Sequence, residues 1–296
     1  MIGRPLSGET FAISVFLLLP VVILNPAMAQ PKSTCEQGPN SGRISACNEL
    51  LKQERSPAEL AVIYRNRAQA YSWSGQYDLA VKDYDAALGV DPKDAEALYG
   101  RGWAFEHIQK YDLAVADADS LLAMGEKANR FTTNQLRCRA LAALARFNEA
   151  IEACSQQLKP YASVIFLVDR GETYLSAGQY DRAIEDFNAA LKIDTQAAFA
   201  RFGRGKAMFE KKDYAMALEE FEQANQMMEA ASGEPWPVAL SKHGLANEAL
   251  GRGSAAIADF QKALKRQPNL DESKEGLKRL GTSPATSNGK KWWPFW

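Results

Sequence analysis

An alanine followed by an apolar side chain, with an aromatic or small residue close behind, returns six times along this 296-residue chain. The alanines are Ala80, Ala114, Ala150, Ala183, Ala217 and Ala256, at intervals of 33 to 39 residues. A period near 34 is that of a helical hairpin, a unit that cannot bury its apolar face alone and so stacks on its neighbours. Strand alternation is absent. The chain is thereby constrained to an all-α stack, and such a stack works as a surface rather than as a reaction vessel.

Charge is nearly balanced, with 35 Lys and Arg against 36 Asp and Glu. That argues against general nucleic-acid binding, which needs a basic excess or stripe. The sequence has no phosphate-cradling glycine loop, nucleophile elbow or zinc motif. His107 and His243 have no ligand spacing around them, and no Cys-x-x-Cys occurs. The expectation is a chain without catalysis, metal or cofactor.

The first 29 residues read as a targeting segment. Arg4 supplies a weakly positive start, Phe11 to Leu24 form an apolar run broken by Ser14 and Pro20, and Pro26-Ala27-Met28-Ala29 offers small residues for cleavage, with Gln30 as the mature start. The run is short for a membrane span of about 20 residues, so a cleaved signal peptide is expected over a retained anchor. The mature protein is then exported and soluble. Cys35, Cys47, Cys138 and Cys154 all lie beyond the cleavage site. An even number of cysteines in an oxidising compartment suggests two disulfides, for which three pairings exist in principle.

The clearest copies of the repeat include Gly75-Gln76-Tyr77-Asp78-Leu79-Ala80-Val81-Lys82-Asp83-Tyr84 and Gly178-Gln179-Tyr180-Asp181-Arg182-Ala183-Ile184-Glu185-Asp186-Phe187. Over about residues 61–268 the chain resembles the tetratricopeptide repeat (TPR) family. The resemblance implies a right-handed superhelical solenoid of about six hairpins, with a partial N-terminal repeat and a C-terminal capping helix. The organisation expected is a signal peptide at 1–29, an N-terminal segment and partial repeat at 30–57, the solenoid at 58–268, a capping helix at 269–281 and a flexible tail with an aromatic end at 282–296. First helices are expected near 61–74, 95–108, 131–144, 164–177, 198–211 and 237–250. Second helices are expected near 77–90, 111–124, 147–158, 180–193, 214–229 and 254–266, with an insertion at Met227 to Pro237. Gly102, Gly171, Gly205 and Gly244 let a partner helix approach, while Tyr84, Phe187, Phe221 and Phe260 fill the space between hairpins. Pro92 and Pro268 end their second helices.

A basic residue precedes an acidic one by 16 positions in five units: Arg67/Asp83, Arg101/Asp117, Arg170/Asp186, Arg204/Glu220 and His243/Asp259. In a hairpin this offset sets the two on facing helices, as structural ion pairs rather than a ladder of binding charges. Each is worth about 0–1 kcal/mol if exposed. In the remaining unit Arg137 faces Ala153, and Cys138 and Cys154 take the next 16-residue pair. A disulfide is expected there, contributing about 3 kcal/mol. Ile44-Ser45-Ala46-Cys47-Asn48 echoes Ile151-Glu152-Ala153-Cys154-Ser155, so residues 43–54 read as the second helix of an incomplete leading repeat, to which Cys35 pins the preceding segment.

In the family this chain resembles, first helices line the concave face. By position this nominates Arg65, Gln69, Trp73, Tyr99, Trp103, Gln135, Arg139, Glu172 and Lys206 as groove residues, with Glu106, Phe202 and Phe209 beside them. Tyr99, Phe202 and Phe209 read equally well as repeat-to-repeat packing. Aromatic anchors with Arg and amides suit a protein or peptide partner. Some relatives clamp a peptide's terminal carboxylate; Arg65 and Gln69 loosely match that set, but Gly100, Thr132 and Leu136 stand where its other polar groups belong, which disfavours that ligand. After the small, polar Thr282 to Gly289 come Lys290, Lys291, Trp292, Trp293, Pro294, Phe295 and Trp296. Trp292, Trp293, Phe295 and Trp296 are contact residues for a membrane surface, for another protein, or for the chain's own groove. The rhythm of Arg-Gly, Gly-Gln-Tyr-Asp and Ala-Ile-x-Asp-Phe resembles repeat proteins of Gram-negative, especially alphaproteobacterial, origin. The reading that results is a non-catalytic interaction scaffold or adaptor of the periplasm. Its alternative is a membrane-surface adaptor that touches lipid weakly through the aromatic tail. The sequence leaves the oligomeric state open.

Overall fold

The computed structural model describes residues 31–125, 130–158 and 162–282. The expected signal peptide, Trp292, Trp293, Phe295 and Trp296 lie outside the described residues. Among those described, the elements are fifteen helices and no strand. They are α1 (Pro31–Gln37), α2 (Asn40–Leu51), α3 (Pro57–Trp73), α4 (Tyr77–Val90), α5 (Ala95–His107), α6 (Tyr111–Ala123), α7 (Arg130–Ala143), α8 (Phe147–Leu158), α9 (Val164–Ser176), α10 (Tyr180–Ile193), α11 (Ala198–Glu210), α12 (Tyr214–Ser232), α13 (Pro237–Ala249), α14 (Gly253–Arg266) and α15 (Asp271–Arg279). From α3 onward they pair as hairpins, α3 with α4 through α13 with α14, and each hairpin packs on the next. The result is a TPR solenoid capped by α15.

All six repeated alanines are fully buried. Their small side chains let the two helices of a hairpin close on each other. Phe187, Phe221 and Phe260 are fully buried as well, and Tyr84 nearly so. Each ring is accommodated by glycine. A Cβ on Gly171 or Gly244 would stand 2.7 Å from the ring of Phe187 or Phe260, and one on Gly203 or Gly276, from the following helix, would come closer still. The ring is thus clasped between successive first helices, and glycine is what makes the room.

The hairpin turns need one residue in the left-handed region. Gly75, Gly178 and Gly251 supply it with φ of 72°, 72° and 73°, whereas Gln109, Ala145 and Lys212 adopt it at 60°, 57° and 65°. The non-glycine residues each carry a cost of about 1 kcal/mol.

Each pair at the 16-residue offset is formed. Arg67 donates to Asp83 at 2.6 and 2.7 Å, Arg101 to Asp117 at 3.0 and 2.7 Å, and Arg170 to Asp186 at 2.8 and 2.7 Å. Arg204 donates to Glu220 at 2.6 Å, and His243 lies 2.8 Å from Asp259. The acids Asp83, Asp117, Asp186 and Glu220 are buried, so these pairs are not the exposed kind, and losing an acid costs more than the about 0–1 kcal/mol of a surface pair. Hydrogen bonding to these carboxylates raises the guanidinium pKa of Arg67, Arg101 and Arg170. The sequence did not reveal a second acceptor on the preceding hairpin: Arg67 also donates to Asn48, Arg101 to Asp85, Arg170 to Ser155 and Arg204 to Asn188, at 2.6 to 3.2 Å. One arginine therefore ties three helices. Arg137, opposite Ala153, keeps only the bond to the preceding hairpin, to Asp119 at 2.6 Å.

Cys138 and Cys154 stand where α9–α10, α11–α12 and α13–α14 have glycine and ring. Their Cα atoms are 5.3 Å apart, and those of Cys35 and Cys47 are 4.9 Å apart; both separations lie in the range a disulfide requires. Both Cys138 and Cys154 sulfurs lie within 3.7 Å of the Thr173 hydroxyl on α9.

The N-terminal end departs from expectation. The leading unit has both helices, with α2 spanning Asn40–Leu51 rather than 43–54 and the short α1 before it. Arg43 is buried and donates to the carbonyls of Cys35 and Glu36 at 3.3 and 3.4 Å, satisfying the end of α1. α3 starts four residues earlier than expected because Ser56 and Glu59 form a capping box ahead of Pro57. The insertion near 227 is largely helical: α12 continues to Ser232 and stops at Gly233, whose φ is 74°.

Candidate functional site: the face of the first helices

First helices of successive hairpins touch directly, α3 with α5, α5 with α7, α7 with α9, α9 with α11, α11 with α13 and α13 with α15. This close side-by-side packing makes their face the inner side of the stack. All nine groove residues expected from the sequence sit on these helices.

Their side chains are held by one another across repeats. Arg65 on α3 bonds Asp94 at 2.8 Å and Glu96 at 3.2 Å. Glu106 on α5 pairs with Arg139 on α7 at 2.7 Å. Gln135 on α7 donates to Asp169 on α9 at 2.8 Å, and Glu172 on α9 pairs with Lys206 on α11 at 2.5 Å. Lys242 on α13 closes the series with Glu272 on α15 at 2.5 Å. Asp94, Asp169, Lys242 and Glu272 escaped sequence reasoning. Their signal is a complementary polar residue about one repeat away, which becomes legible only when the register between hairpins is known.

Rings stand between these rungs. Trp73 is 57% exposed, with the Arg43 guanidinium 5.2 Å from its ring. Arg43 also donates to Gln69 at 2.9 Å, which turns that amide toward the leading hairpin. Trp103 packs edge-on against His107 at 4.1 Å and Tyr77 at 5.6 Å, and His107 stacks on Tyr77 at 4.4 Å. Ile165 and Phe199, neither of which the sequence singled out, are 62% and 41% exposed on α9 and α11. Tyr99 is half-buried and packs against the apolar cores on either side of α5. Phe202 is a packing residue: it is buried against Phe221 and Trp236, with ring centres 5.6 and 4.5 Å away.

Burial raises the pKa of Glu106 and Asp169; Arg139 opposes both and the Gln135 hydrogen bond opposes the rise at Asp169, while the Asp169 carboxylate adds to the rise at Glu106 and that of Glu172 to the rise at Asp169. Burial also pushes the Tyr99 phenol up and the His107 imidazole down. Glu106, Asp169, Tyr99 and His107 are thus partly withdrawn from water in the middle of the face. Among the described residues no group of three or more His, Cys, Asp or Glu is placed to hold a metal ion, and no helix is long and apolar enough to cross a membrane. What the arrangement offers chemically is shape, exposed apolar area and fixed hydrogen-bonding groups.

A tetratricopeptide repeat profile matches residues 65–129, and a TPR repeat profile matches residues 171–212. Human tetratricopeptide repeat protein 13 is 26% identical over 195 residues, which is 61% of this chain and 22% of its own. RNA polymerase II-associated protein 3 of Xenopus tropicalis is 29% identical over 112 residues, 38% of this chain and 16% of its own. The chain thus spans about a fifth of the length of these curated relatives. Among solved structures, a tetratricopeptide repeat protein from Parabacteroides merdae superimposes with a TM-score of 0.72 at 18% identity, covering 86% of this chain and 97% of that one. PilW, described as a widely conserved type IV pilus biogenesis factor, does so with a TM-score of 0.62 at 18% identity, covering 74% and 98%. Likeness at this identity shows the fold alone.

Proposed function

We propose that this tetratricopeptide-repeat protein is a non-catalytic scaffold or adaptor of the bacterial periplasm, holding a segment of another protein against the face of its first helices. Proteins built from these repeats generally mediate protein–protein interaction. The observation that carries the reading is the exposure of Trp73, Ile165 and Phe199 on a face whose polar groups are otherwise tied to each other across repeats. Apolar side chains held out between fixed polar rungs suit a polypeptide that contributes its own apolar anchors and reads the rungs for register. Export is supported by the N-terminal segment of the sequence and by the two close cysteine pairs, for which we propose Cys35–Cys47 and Cys138–Cys154 disulfides.

Trp73→Ala and Trp103→Ala together should weaken capture of a partner from envelope extract by roughly thirtyfold, the equivalent of about 2 kcal/mol for truncated aromatic anchors. Circular dichroism should stay unchanged. Undiminished capture with an intact fold would refute the groove assignment.

A further inference from the structure

Ile165 and Phe199 are each the second residue of a first helix, α9 and α11, and both reach solvent, 62% and 41% exposed. Because α9 and α11 pack side by side, these equivalent positions are separated by the spacing of neighbouring helices, about 8–10 Å. Trp236, which precedes α13, leans back over the same strip. Its ring lies 5.2 Å from that of Phe199, at 73°, and 4.5 Å from that of Phe202. Its backbone N–H donates to the buried Asn225 at 2.8 Å, and Pro235 and Pro237 stand on either side of it, so the connection holds the indole in place. Two rings near a right angle make a notch with two apolar walls, and an aliphatic side chain stands one helix away.

That spacing selects the conformation of a segment lying across it. A β-strand returns to the same face after two residues, about 6.6 Å, and after four, about 13 Å; neither matches. Two turns of α-helix, about 10.5 Å over seven residues, overshoot. Polyproline II returns after three residues, about 9.3 Å, and has no internal hydrogen bonds that docking would disturb. Charges flanking the strip are paired within the chain, Glu172 with Lys206, Lys242 with Glu272 and Glu234 with Arg266. A charged guest would have to compete with those pairs, so a neutral one is favoured. We infer that Ile165, Phe199 and Trp236 form a docking strip for a neutral polyproline-II segment of another protein, with a proline in the notch between Phe199 and Trp236 and an apolar residue three positions away on Ile165. Aromatic walls are what such segments dock against. The inference rests on the scaffold reading and names the class of segment that this end of the face takes; Trp73 and Trp103, on α3 and α5, are not part of the strip.

The test is fluorescence anisotropy of labelled all-L nonaproline, an uncharged polyproline-II helix, titrated with the purified full chain, with the all-D mirror image as comparison. The expected result is saturable binding of the all-L peptide and binding at least tenfold weaker of the all-D one. Ile165→Ser and Phe199→Ala should each weaken all-L binding about tenfold, as loss of an apolar anchor does, and Trp73→Ala should leave it within twofold. Ile165 and Phe199 are exposed, and unchanged circular dichroism checks that each variant is folded. Four results would each overturn the inference: no saturable binding of the all-L peptide, equal binding of the two mirror images, folded Ile165→Ser and Phe199→Ala variants that bind as the unaltered chain does, or a loss from Trp73→Ala as large as theirs. Capture from envelope extract by the unaltered chain and by the Trp73 and Trp103 variant is read separately. Capture that depends on those two rings, with no binding of nonaproline, removes this inference and leaves the scaffold reading standing.

Discussion

The hairpin α7–α8 and its neighbour α9–α10 have the same geometry and are held by different chemistry. In α9–α10, Gly171 makes room for the buried ring of Phe187, Arg170 clasps the buried Asp186 with two bonds, and Gly178 makes the turn at a φ of 72°. In α7–α8 every one of these is missing. Cys138 and Cys154 replace glycine and ring, Ala153 stands where the acid would be, and Ala145 is forced to a φ of 57° in the turn. The two units differ in where their stability resides. One is held by the volume of a ring and a desolvated ion pair, the other by two sulfurs brought within bonding range. A hairpin that lacks a ring and an acid can keep its register if a short crosslink fixes the distance between its helices.

The largest expected effect is on the ring side of this contrast. Phe187→Ala removes a fully buried side chain clasped by two helices, and should cost about 3–5 kcal/mol, read as a lowered midpoint in urea unfolding. The corresponding change on the sulfur side is reduction, or Cys138→Ser with Cys154→Ser, expected to cost about 3 kcal/mol for a closed loop of 16 residues. The double variant Cys138→Gly with Cys154→Phe, which gives α7–α8 its neighbour's couple, should recover part of that loss and remove the share of reductant dependence that Cys138–Cys154 contributes, leaving that of Cys35–Cys47. If reductant leaves the unfolding midpoint of the unaltered chain unchanged, the sulfurs carry no share of stability and the contrast fails. The smallest effect belongs to the turn: Ala145→Gly should stabilise by about 0.5–1 kcal/mol by relieving the left-handed alanine, while the same replacement outside a positive-φ position would destabilise.

Much of this fold was legible because a stack repeats itself. From α4 onward the helix bounds expected from the period agree with those observed to within a few residues, since the buried alanines and rings recur at fixed offsets. The misses are places where the period carries no information. The seven residues of α1 are mostly polar and make no repeat mark; they are held by Arg43 and Cys47, which are distant cues. The early start of α3 was readable from Ser56 and Glu59, a local cap that lies outside the repeat. The offset of 16 revealed the acid within each hairpin, because that spacing is set by one turn, but not the second acceptor of each arginine, which depends on how hairpins stack. The same holds for the groove. Its residues could be assigned to a face from position alone, whereas Asp94, Asp169, Lys242 and Glu272 follow from the superhelical register. Phe202 shows the limit of position: a ring on a first helix is buried where Trp236, from the lengthened α12–α13 connection, folds over it.

The claim at the centre of this account is that the face of the first helices, and not the outer face, meets a partner. Site-directed photo-crosslinking in cells tests it most directly, with Glu96→p-benzoylphenylalanine on the exposed inner side of α5 and Lys262→p-benzoylphenylalanine on the exposed side of α14. The account predicts adducts to another polypeptide from position 96 and none from position 262. Adducts from position 262 alone, or equally from both, would contradict it.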